Sequence, residues 1–383
     1  MKLKSAIALA SLALATSFAV AQSQGVSKNE IVLGSIQDLS GPLASLGKQV
    51  RYGMQLRVDE LNEQSGGIHG RKIRLLIEDS QYDPKKAVLA TQKLVNQDKI
   101  FAMVGHIGTT SNLAAMPIQF AKNVPNLNPI TASKEMYEPF HKLKFAFAAS
   151  YFDQMRVFVP KVAKEKGAKK VCTLYQDDDF GTEVMQGAEA GLKTIGMTLA
   201  EKTTYKTGAT DFSSQVARLK AADCDMVVLG TVLRETIGTI GTARRTGYNP
   251  TFLGSSAVYF DLVHKLGGKA MDGLYAAMTV QNPYLDSASQ PLRFWATKYQ
   301  TKFNEEPAVF SVYGYTAIDN FITAATAAGP NLTTDTLIKA LETVTFPADI
   351  FGSPVTKFSP TKRQGSDQAR LSQIVDGKWK VLD

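Results

Sequence analysis

Residues 31–104 read IVLGSIQDLSGPLASLGKQVRYGMQLRVDELNEQSGGIHGRKIRLLIEDSQYDPKKAVLATQKLVNQDKIFAMV. Apolar, strand-like runs alternate here with amphipathic, helix-like runs. The predicted strands are 31–36, 72–78 and 101–104, and the predicted helices are 47–64 and 83–97. Gly66-Gly67 ends the first helix, and Pro84 stands in the first turn of the second, where its missing N–H costs nothing. This alternation predicts βαβ units with helices covering a parallel sheet.

The same alternation extends outward from this stretch, and a second series begins near Ser150. Further strands are predicted at 126–128, 170–175, 197–203, 226–229 and 251–253, and further helices at 111–122, 153–166, 181–195, 211–221, 235–246, 310–328 and 334–343. A hairpin around Asp376-Gly377 is predicted near the end. Two series of this kind predict an α/β protein with two lobes.

Length and composition indicate a globular protein. The chain has 383 residues, of which 44% are hydrophobic and 20% charged, enough for two or three domains. This composition argues against a largely disordered, fibrous or multi-span membrane protein. The net charge of +8 comes from interspersed residues, so it predicts a solvated surface and no nucleic-acid partner.

The N-terminus resembles a secretory signal peptide. Lys2 and Lys4 precede an apolar run over 6–20, and Ala19-Val20-Ala21 supplies the small residues of a cleavage site. We expect cleavage near Ala21 and export to the periplasm, with an uncleaved membrane anchor as the competing interpretation. The remaining sequence has Cys172 and Cys224, both beside strand-like runs. An oxidising compartment permits a disulfide between them, but buried free thiols are favoured.

Signatures of catalysis and cofactor binding are absent from the sequence. Nothing matches G-x-S-x-G, H-E-x-x-H, C-x-x-C or G-x-G-x-x-G, and residues 41–49 have the wrong spacing for a phosphate-binding loop. The four histidines are scattered, and the acidic run at 177–179 is explained by a helix start. We therefore predict no enzyme activity, no metal and no cofactor.

A binding site is expected where the predicted strands end. Open α/β sheets bind ligands at the carboxyl ends of their strands. The loops there, at 37–47, 106–112, 131–134, 177–181, 231–235 and 255–260, are rich in Ser, Thr, Gly and aromatic residues. The segment 105–111 follows a buried strand and opens a helix, whose free N–H groups suit a carboxylate. Ordinary helix capping is the alternative interpretation of its Ser and Thr residues.

A family resemblance rests on short motifs in a fixed order. They are IVLG at 31–34, LSGP at 39–42, DELN at 59–62, GGI at 66–68, GRKI at 70–73, DP at 83–84, VGH at 104–106, QDDDFG at 176–181, GATDFS at 208–213 and AMDGLY at 270–275. In order and spacing the sequence resembles the type I periplasmic solute-binding proteins of ABC transporters, specifically the branched-chain amino-acid-binding group. The resemblance implies two Rossmann-like lobes, with parallel-rich sheets flanked by helices, joined by a three-crossover hinge. We expect lobe one at 27–148 and 279–365, and lobe two at 149–278 and 366–383.

The resemblance also implies a binding mode. A ligand between the lobes favours the closed form, which a permease in the inner membrane then recognises. One of the implied binding loops contains His106, Thr109 and Thr110. In this family a serine in that loop holds the α-carboxylate of the ligand, and Thr109 stands in its place here. A second loop falls on Ile130, Thr131 and Ala132, so its expected hydroxyl is displaced or lost. In lobe two, Phe180 keeps an aromatic position and Leu233 replaces a tyrosine.

One departure from the family bears on the ligand. The acidic residue that pairs with the α-ammonium aligns on Ser256, which carries no charge. A desolvated ammonium without a counter-charge costs several kcal/mol, so Glu235 or Asp261 would have to replace the acid. We therefore expect an organic acid with an apolar or aromatic body. The remaining candidate ligand-binding residues are Leu46 and Tyr259 as apolar wall, Arg234 as a second anionic anchor or a solvated residue, and Tyr151 as ligand stacking or hinge packing.

Three alternatives stay open at this point. The first is an amino-acid-binding protein of the same transporter type. The second is a ligand-sensing domain that signals to a membrane receptor. The third is a secreted α/β hydrolase, for which no nucleophile and base are found. We expect a monomer whose partners are a small carboxylate and a permease.

Overall fold

The computed structural model describes residues 23–382. The predicted signal peptide at 1–21 lies outside the described residues. Among the described residues, none of the helices combines the length and the apolar character needed to span a membrane.

The first lobe is built on a five-stranded parallel sheet in the order β2-β1-β3-β4-β5. Its elements are β1 (Glu30–Gln37), α1 (Ala44–Gln64), β2 (Lys72–Asp79), α2 (Pro84–Gln92), β3 (Ala102–Val104), α3 (Thr109–Phe120), β4 (Asn126–Leu127) and β5 (Lys144–Phe145). Strands β1, β3, β4 and β5 are buried because helices cover the sheet, whereas the edge strand β2 is largely half-buried. Asp83 caps α2 by accepting hydrogen bonds from the N–H groups of Lys85 and Lys86, and Pro84 occupies the first helical position as expected.

The second lobe contains a seven-stranded sheet in the order β14-β13-β10-β9-β8-β6-β7. Its elements are α4 (Tyr151–Lys166), β6 (Val171–Gln176), α5 (Asp179–Lys193), β7 (Lys202–Tyr205), α6 (Ser213–Ala221), β8 (Met226–Gly230), α7 (Leu233–Arg245), β9 (Thr251–Gly254), α8 (Asp261–Gly267) and β10 (Tyr275–Met278). These five strands run parallel. The sheet is completed by the antiparallel hairpin that the sequence predicts near the chain end.

The remaining elements return to the first lobe. They are α9 (Gln290–Phe303), α10 (Val309–Ala328), α11 (Thr334–Thr343), β11 (Thr345–Phe346) and β12 (Thr356–Lys357), followed in the second lobe by β13 (Arg370–Val375) and β14 (Lys378–Leu382). Helix α10 packs along α1, and α9 stacks Phe303 on Tyr52 of α1. Within residues 23–382 the chain therefore passes between the lobes three times: after β5, after β10 and after β12. The expected two-lobed α/β architecture is confirmed, whereas the exact lobe boundaries stay a prediction.

The preference for free thiols is wrong. Cys172 lies in β6 and Cys224 lies just before β8, and these two strands are neighbours in parallel register. Their Cα atoms are 5.8 Å apart, and the two side chains form a disulfide. The sequence alone could not bring them together, because they are 52 positions apart and two helices and a strand lie between them.

Several elements differ from the sequence prediction. The strand predicted at 197–203 begins only at Lys202, since Met197 still closes the end of α5 by donating its N–H to Leu192. Helix α6 begins at Ser213 and was expected to begin at Asp211. Its N-cap position is Phe212, not Thr210 or Asp211 as expected. Strands β5 and β10 and helices α8 and α9 were not predicted, because their short or mixed patterns lack a clear period.

Candidate functional site: a cavity between the lobes

A largely apolar cavity of about 630 Å³, part of it open to solvent, lies between the two lobes. Its walls come from the carboxyl ends of strands in both sheets and from two segments that connect the lobes. The lining residues are Leu43, Leu46, Tyr82, Ile107, Gly108, Thr109, Ile130, Thr131, Ala132, Phe147, Ala148, Tyr151, Phe180, Val232, Ser256, Ala257, Thr279, Phe310 and Tyr313. This is the position at which open α/β folds bind small molecules.

A pair of hydroxyl groups and a helix N-terminus face each other on the first-lobe side. The Oγ1 atoms of Thr109 and Thr131 are 2.7 Å apart, so one of them donates to the other. Thr109 is the first residue of α3, whose preceding residue, Gly108, provides no side-chain cap. The backbone N–H groups of the first turn are therefore available to an anion, and the helix dipole adds to that attraction.

Gly108 is required by the shape of this corner. Its φ of 90° lies in a region that favours glycine, and a Cβ atom would come within 2.9 Å of the Tyr82 ring. The absence of a side chain thus lets Tyr82 lie against the start of α3. Both residues line the cavity.

Ser256 is held in place on the second-lobe side by Gln154 of α4. Gln154 Nε2 donates to Ser256 Oγ at 3.0 Å, and Ser256 N–H donates to Gln154 Oε1 at 2.8 Å. Since the hydroxyl oxygen already accepts from the amide, its proton is free to point into the cavity. Ser256 therefore presents a neutral hydrogen-bond donor where the family resemblance implies a carboxylate.

Aromatic rings form the apolar walls. Tyr151 and Phe180 meet edge to face with ring centroids 5.0 Å apart. On the opposite side Phe310 and Tyr313 meet at 5.6 Å, and the Tyr313 hydroxyl lies 3.0 Å from Thr279 Oγ1. Burial raises the pKa of Tyr151 to about 12, which keeps its hydroxyl neutral and able to donate a hydrogen bond.

The cavity walls carry no formal charge. Asp, Glu, Lys, Arg and His are absent from the lining residues that the described chain provides. Asp261 is buried and pairs with Lys265 at 2.7 Å. Glu235 is also buried, burial raises the pKa of its carboxyl, and its Oε2 atom has no hydrogen-bond partner. Neither carboxylate lines the cavity.

The structure brings eight of the predicted site residues together around the cavity: Leu46, Thr109, Ile130, Thr131, Ala132, Tyr151, Phe180 and Ser256. The other five lie elsewhere. His106 is fully buried behind the cavity, and this burial lowers its pKa to about 3. Tyr259 is buried against Trp379. Thr110 Oγ1 lies 3.5 Å from Asp178 of the second lobe. Leu233 and the exposed Arg234 begin α7 outside the cavity wall.

Sequence reasoning missed much of the aromatic wall. Tyr82 follows β2, so the same strand-end rule that selected the other loops also applies to it. Phe310 and Tyr313 stand three residues apart in the first turn of α10, a spacing that places both on one helix face. Phe147 and Thr279 lie in the segments that connect the lobes, where no local pattern marks a site.

A buried carboxylate joins the lobes beside the cavity. Glu183 of α5 accepts hydrogen bonds from the Lys134 N–H at 3.0 Å and 3.2 Å and from the Phe152 N–H at 3.3 Å. Burial, helped by the nearby charge of Glu135, raises the pKa of Glu183 to about 8. Because Lys134 belongs to the first lobe, this carboxylate ties the two lobes together in the form described here.

The sequence profile of the periplasmic binding protein family matches residues 30–378. The chain belongs to this family. A Leu/Ile/Val-binding protein homolog from Brucella suis is 25% identical over 291 residues, which cover 73% of this chain and 72% of that protein.

Solved structures share the fold at lower identity. A fatty acid ABC transporter substrate-binding protein from Thermomonospora curvata has a TM-score of 0.86 at 23% identity, covering 94% of this chain and 93% of that one. A solute-binding protein of an ABC transporter from R. palustris, solved in complex with benzoate, has a TM-score of 0.81 at 20% identity, covering 92% and 96%. Family proteins of this kind bind substrates for transport.

Proposed function

We propose that this chain captures a small carboxylate with an apolar or aromatic body and closes its lobes around it. The observation that carries the proposal is the wall of the cavity, which combines a helix N-terminus and hydroxyl groups with aromatic rings. Among the described residues, it includes no acid that could pair with an ammonium group. A carboxylate would accept from the first-turn N–H groups of α3 and from the Thr109–Thr131 hydroxyl pair.

Two structural neighbours support this class of ligand. By their descriptions, one belongs to a fatty acid transporter and the other was solved with benzoate. Both ligands are carboxylates without an ammonium group. The same two-lobed fold therefore accommodates acids of this kind in related proteins.

The alternative ligand class is a branched-chain amino acid. The Brucella relative is described as a Leu/Ile/Val-binding homolog. Glu235 is the group that would serve an ammonium, because it is buried, lies beside the cavity-lining Val232 and has an unpaired Oε2 atom. Its raised pKa, however, reflects an environment that disfavours the charged form that an ammonium needs.

The cellular role follows from the family. We propose that the chain is exported after cleavage near Ala21, works in the periplasm and delivers its ligand to a permease of an ABC importer. In the alternative role, a membrane receptor would recognise the same closed form and signal in response. Measuring uptake of the identified ligand in cells that lack this chain distinguishes the transport role from the receptor role. Only the transport role predicts a loss of uptake.

A thermal-shift screen tests the ligand class. The purified protein is heated with a panel of aliphatic, benzoate-like and phenylpropenoid acids and with a panel of branched-chain and aromatic amino acids. A bound ligand stabilises the folded protein by mass action and so raises its melting temperature. At a free ligand concentration of one hundred times the Kd, the free energy of unfolding rises by about 2.7 kcal/mol. We expect shifts with acids alone. A shift confined to leucine, isoleucine or valine would contradict the proposal.

A further inference from the structure

A second cleft lies at the far end of the first lobe. It is formed by the segment that precedes β1, by the turn at 68–71 that precedes β2, and by the loop at 330–333 between α10 and α11. Strands β1 and β2 run parallel and begin here. The cleft therefore sits at the amino ends of the strands, whereas the interlobe cavity sits at their carboxyl ends.

Arg71 in this cleft is a buried cation without a counter-charge. Only 6% of the residue is exposed, and its Nη2 atom has no hydrogen-bond partner. Its Nε atom makes one long contact, 3.5 Å to the carbonyl oxygen of Ile68. Among the residues that the structure describes, none forms an ion pair with Arg71. A guanidinium buried in this way costs free energy until an anion compensates it.

The surroundings of Arg71 add positive potential. Lys28 and His69, both exposed, line the same cleft, and no Asp or Glu is found among the described residues that line it. Residues 1–22 of the sequence also contain no Asp or Glu. Asp335 of α11 is not part of the lining and pairs with Lys142 at 3.8 Å.

Two further features suit an oxyanion. Thr333 lines the cleft and caps α11 by accepting from the Thr336 N–H, so the positive end of that helix lies at the rim of the cleft. Ser23 and Ser27 also line the cleft, where the Ser27 hydroxyl is already hydrogen-bonded to the backbone of Asn29 and Glu30. A planar guanidinium with hydroxyl and ammonium neighbours is the arrangement by which proteins hold phosphate-type oxyanions.

We propose that the cleft around Arg71 binds a small phosphate-type oxyanion, independently of the interlobe ligand. The anion would lie against the Arg71 guanidinium, with Lys28 and His69 closing over it from the surface. Such a site anchors the segment before β1 to the turn before β2 and to the loop that precedes α11. Oxyanion binding therefore stabilises the first lobe.

The test is a titration of the full-length purified protein with inorganic phosphate and with sulfate, each against sodium chloride of equal ionic strength. We expect a saturable rise in melting temperature with the oxyanions and not with chloride. Arg71→Met should weaken the apparent affinity about tenfold or more, as expected for the loss of a charged partner. Binding of the interlobe ligand should be unchanged in this variant.

Surface variants keep the test decisive if Arg71→Met does not fold. The double variant Lys28→Met/His69→Asn replaces the two exposed side chains nearest the surface of the cleft, and asparagine tolerates the positive φ of 49° at position 69. It should also weaken phosphate binding, whereas Lys161→Met, an exposed lysine on α4, should not. The proposal is overturned if the wild type gives no saturable effect, or if the double variant binds phosphate as well as Lys161→Met does.

Discussion

The hydroxyl of Thr109 occupies the corner where α3 begins and where a carboxylate would be received. We predict that Thr109→Val weakens binding of a carboxylate ligand by about 1.5–3 kcal/mol, which is about 10- to 100-fold in Kd. Valine keeps the shape of threonine and removes one donor to a charged group. Calorimetric titration of the ligand measures the change.

The matched control for this variant is Thr91→Val. Thr91 is buried in α2 of the same lobe, and its hydroxyl donates to Ala87 O at 2.7 Å away from the cavity. That variant should lose stability without a change in Kd. Equal affinity of Thr109→Val and the wild type would remove Thr109 from the binding site.

Ser256 determines the charge of the second-lobe wall. We predict that Ser256→Asp weakens binding of an acid ligand about tenfold or more relative to Ser256→Asn, because the two variants match in size and differ in charge. The difference should shrink as the pH falls and the new carboxyl becomes protonated. Titrations of both variants at two pH values measure it. Equal affinities near neutral pH would show that the ligand does not lie against Ser256.

The polar part of the site is more predictable from sequence than the apolar part. Thr109, Thr131 and Ser256 follow strand ends, and that local rule places them at the cavity. Phe310 and Tyr313 reach the same cavity only because the chain returns to the first lobe after β10 and α10 then packs along α1. A contact of that kind depends on tertiary packing and has no local signature.

Glu183 links helix α5 to the segment at 131–136, and its raised pKa makes the stability of the fold depend on pH. In the folded form the pKa of Glu183 is about 8, against about 4.5 for an exposed glutamate. The folded protein therefore binds more protons than the unfolded chain between these two values. Its contribution to stability is present below about pH 4.5 and is lost as the pH rises towards 8, at about 1.4 kcal/mol for each pKa unit.

We predict that Glu183→Gln flattens the fall in melting temperature between about pH 5 and pH 8. Glutamine keeps the Oε1 acceptor for the Lys134 and Phe152 N–H groups and has no proton to lose. Thermal unfolding across this range measures the effect. Glu189→Gln, which lies on the same helix and alters an ion pair with Lys202 of β7, serves as the control. If both variants keep the wild-type slope, Glu183 does not titrate in this window.

Elements with a long apolar period were predicted closely, whereas several of the short ones were not. Helix α11 has the predicted bounds, and β1, β2 and α10 differ from prediction by one residue or less at each end. Their apolar periods run long enough to specify the element. Strands β5, β11 and β12 have two residues each and exist because neighbouring strands pair with them. The disulfide was beyond prediction for the same reason, since strand order in the second lobe brings its cysteines together.

At the scale of the whole molecule, the described form has its lobes in contact around the cavity. Thr110 approaches Asp178 across the gap, and Glu183 accepts from Lys134 beside it. A ligand that touches both lobes would add its own contacts to these and favour closure. The chemistry of the cavity wall then decides which solute produces the closed protein.

Calorimetry with matched ligands shows whether the cavity accepts an acid or an amino acid. Leucine and 4-methylpentanoate share a carboxylate and a branched apolar body and differ by the ammonium group, as do phenylalanine and 3-phenylpropanoate. We predict that, in each pair that binds, the acid binds at least about tenfold more tightly than its amino acid, because the described wall holds no charge to compensate a buried ammonium. Tighter binding of leucine or phenylalanine than of the matching acid would contradict it.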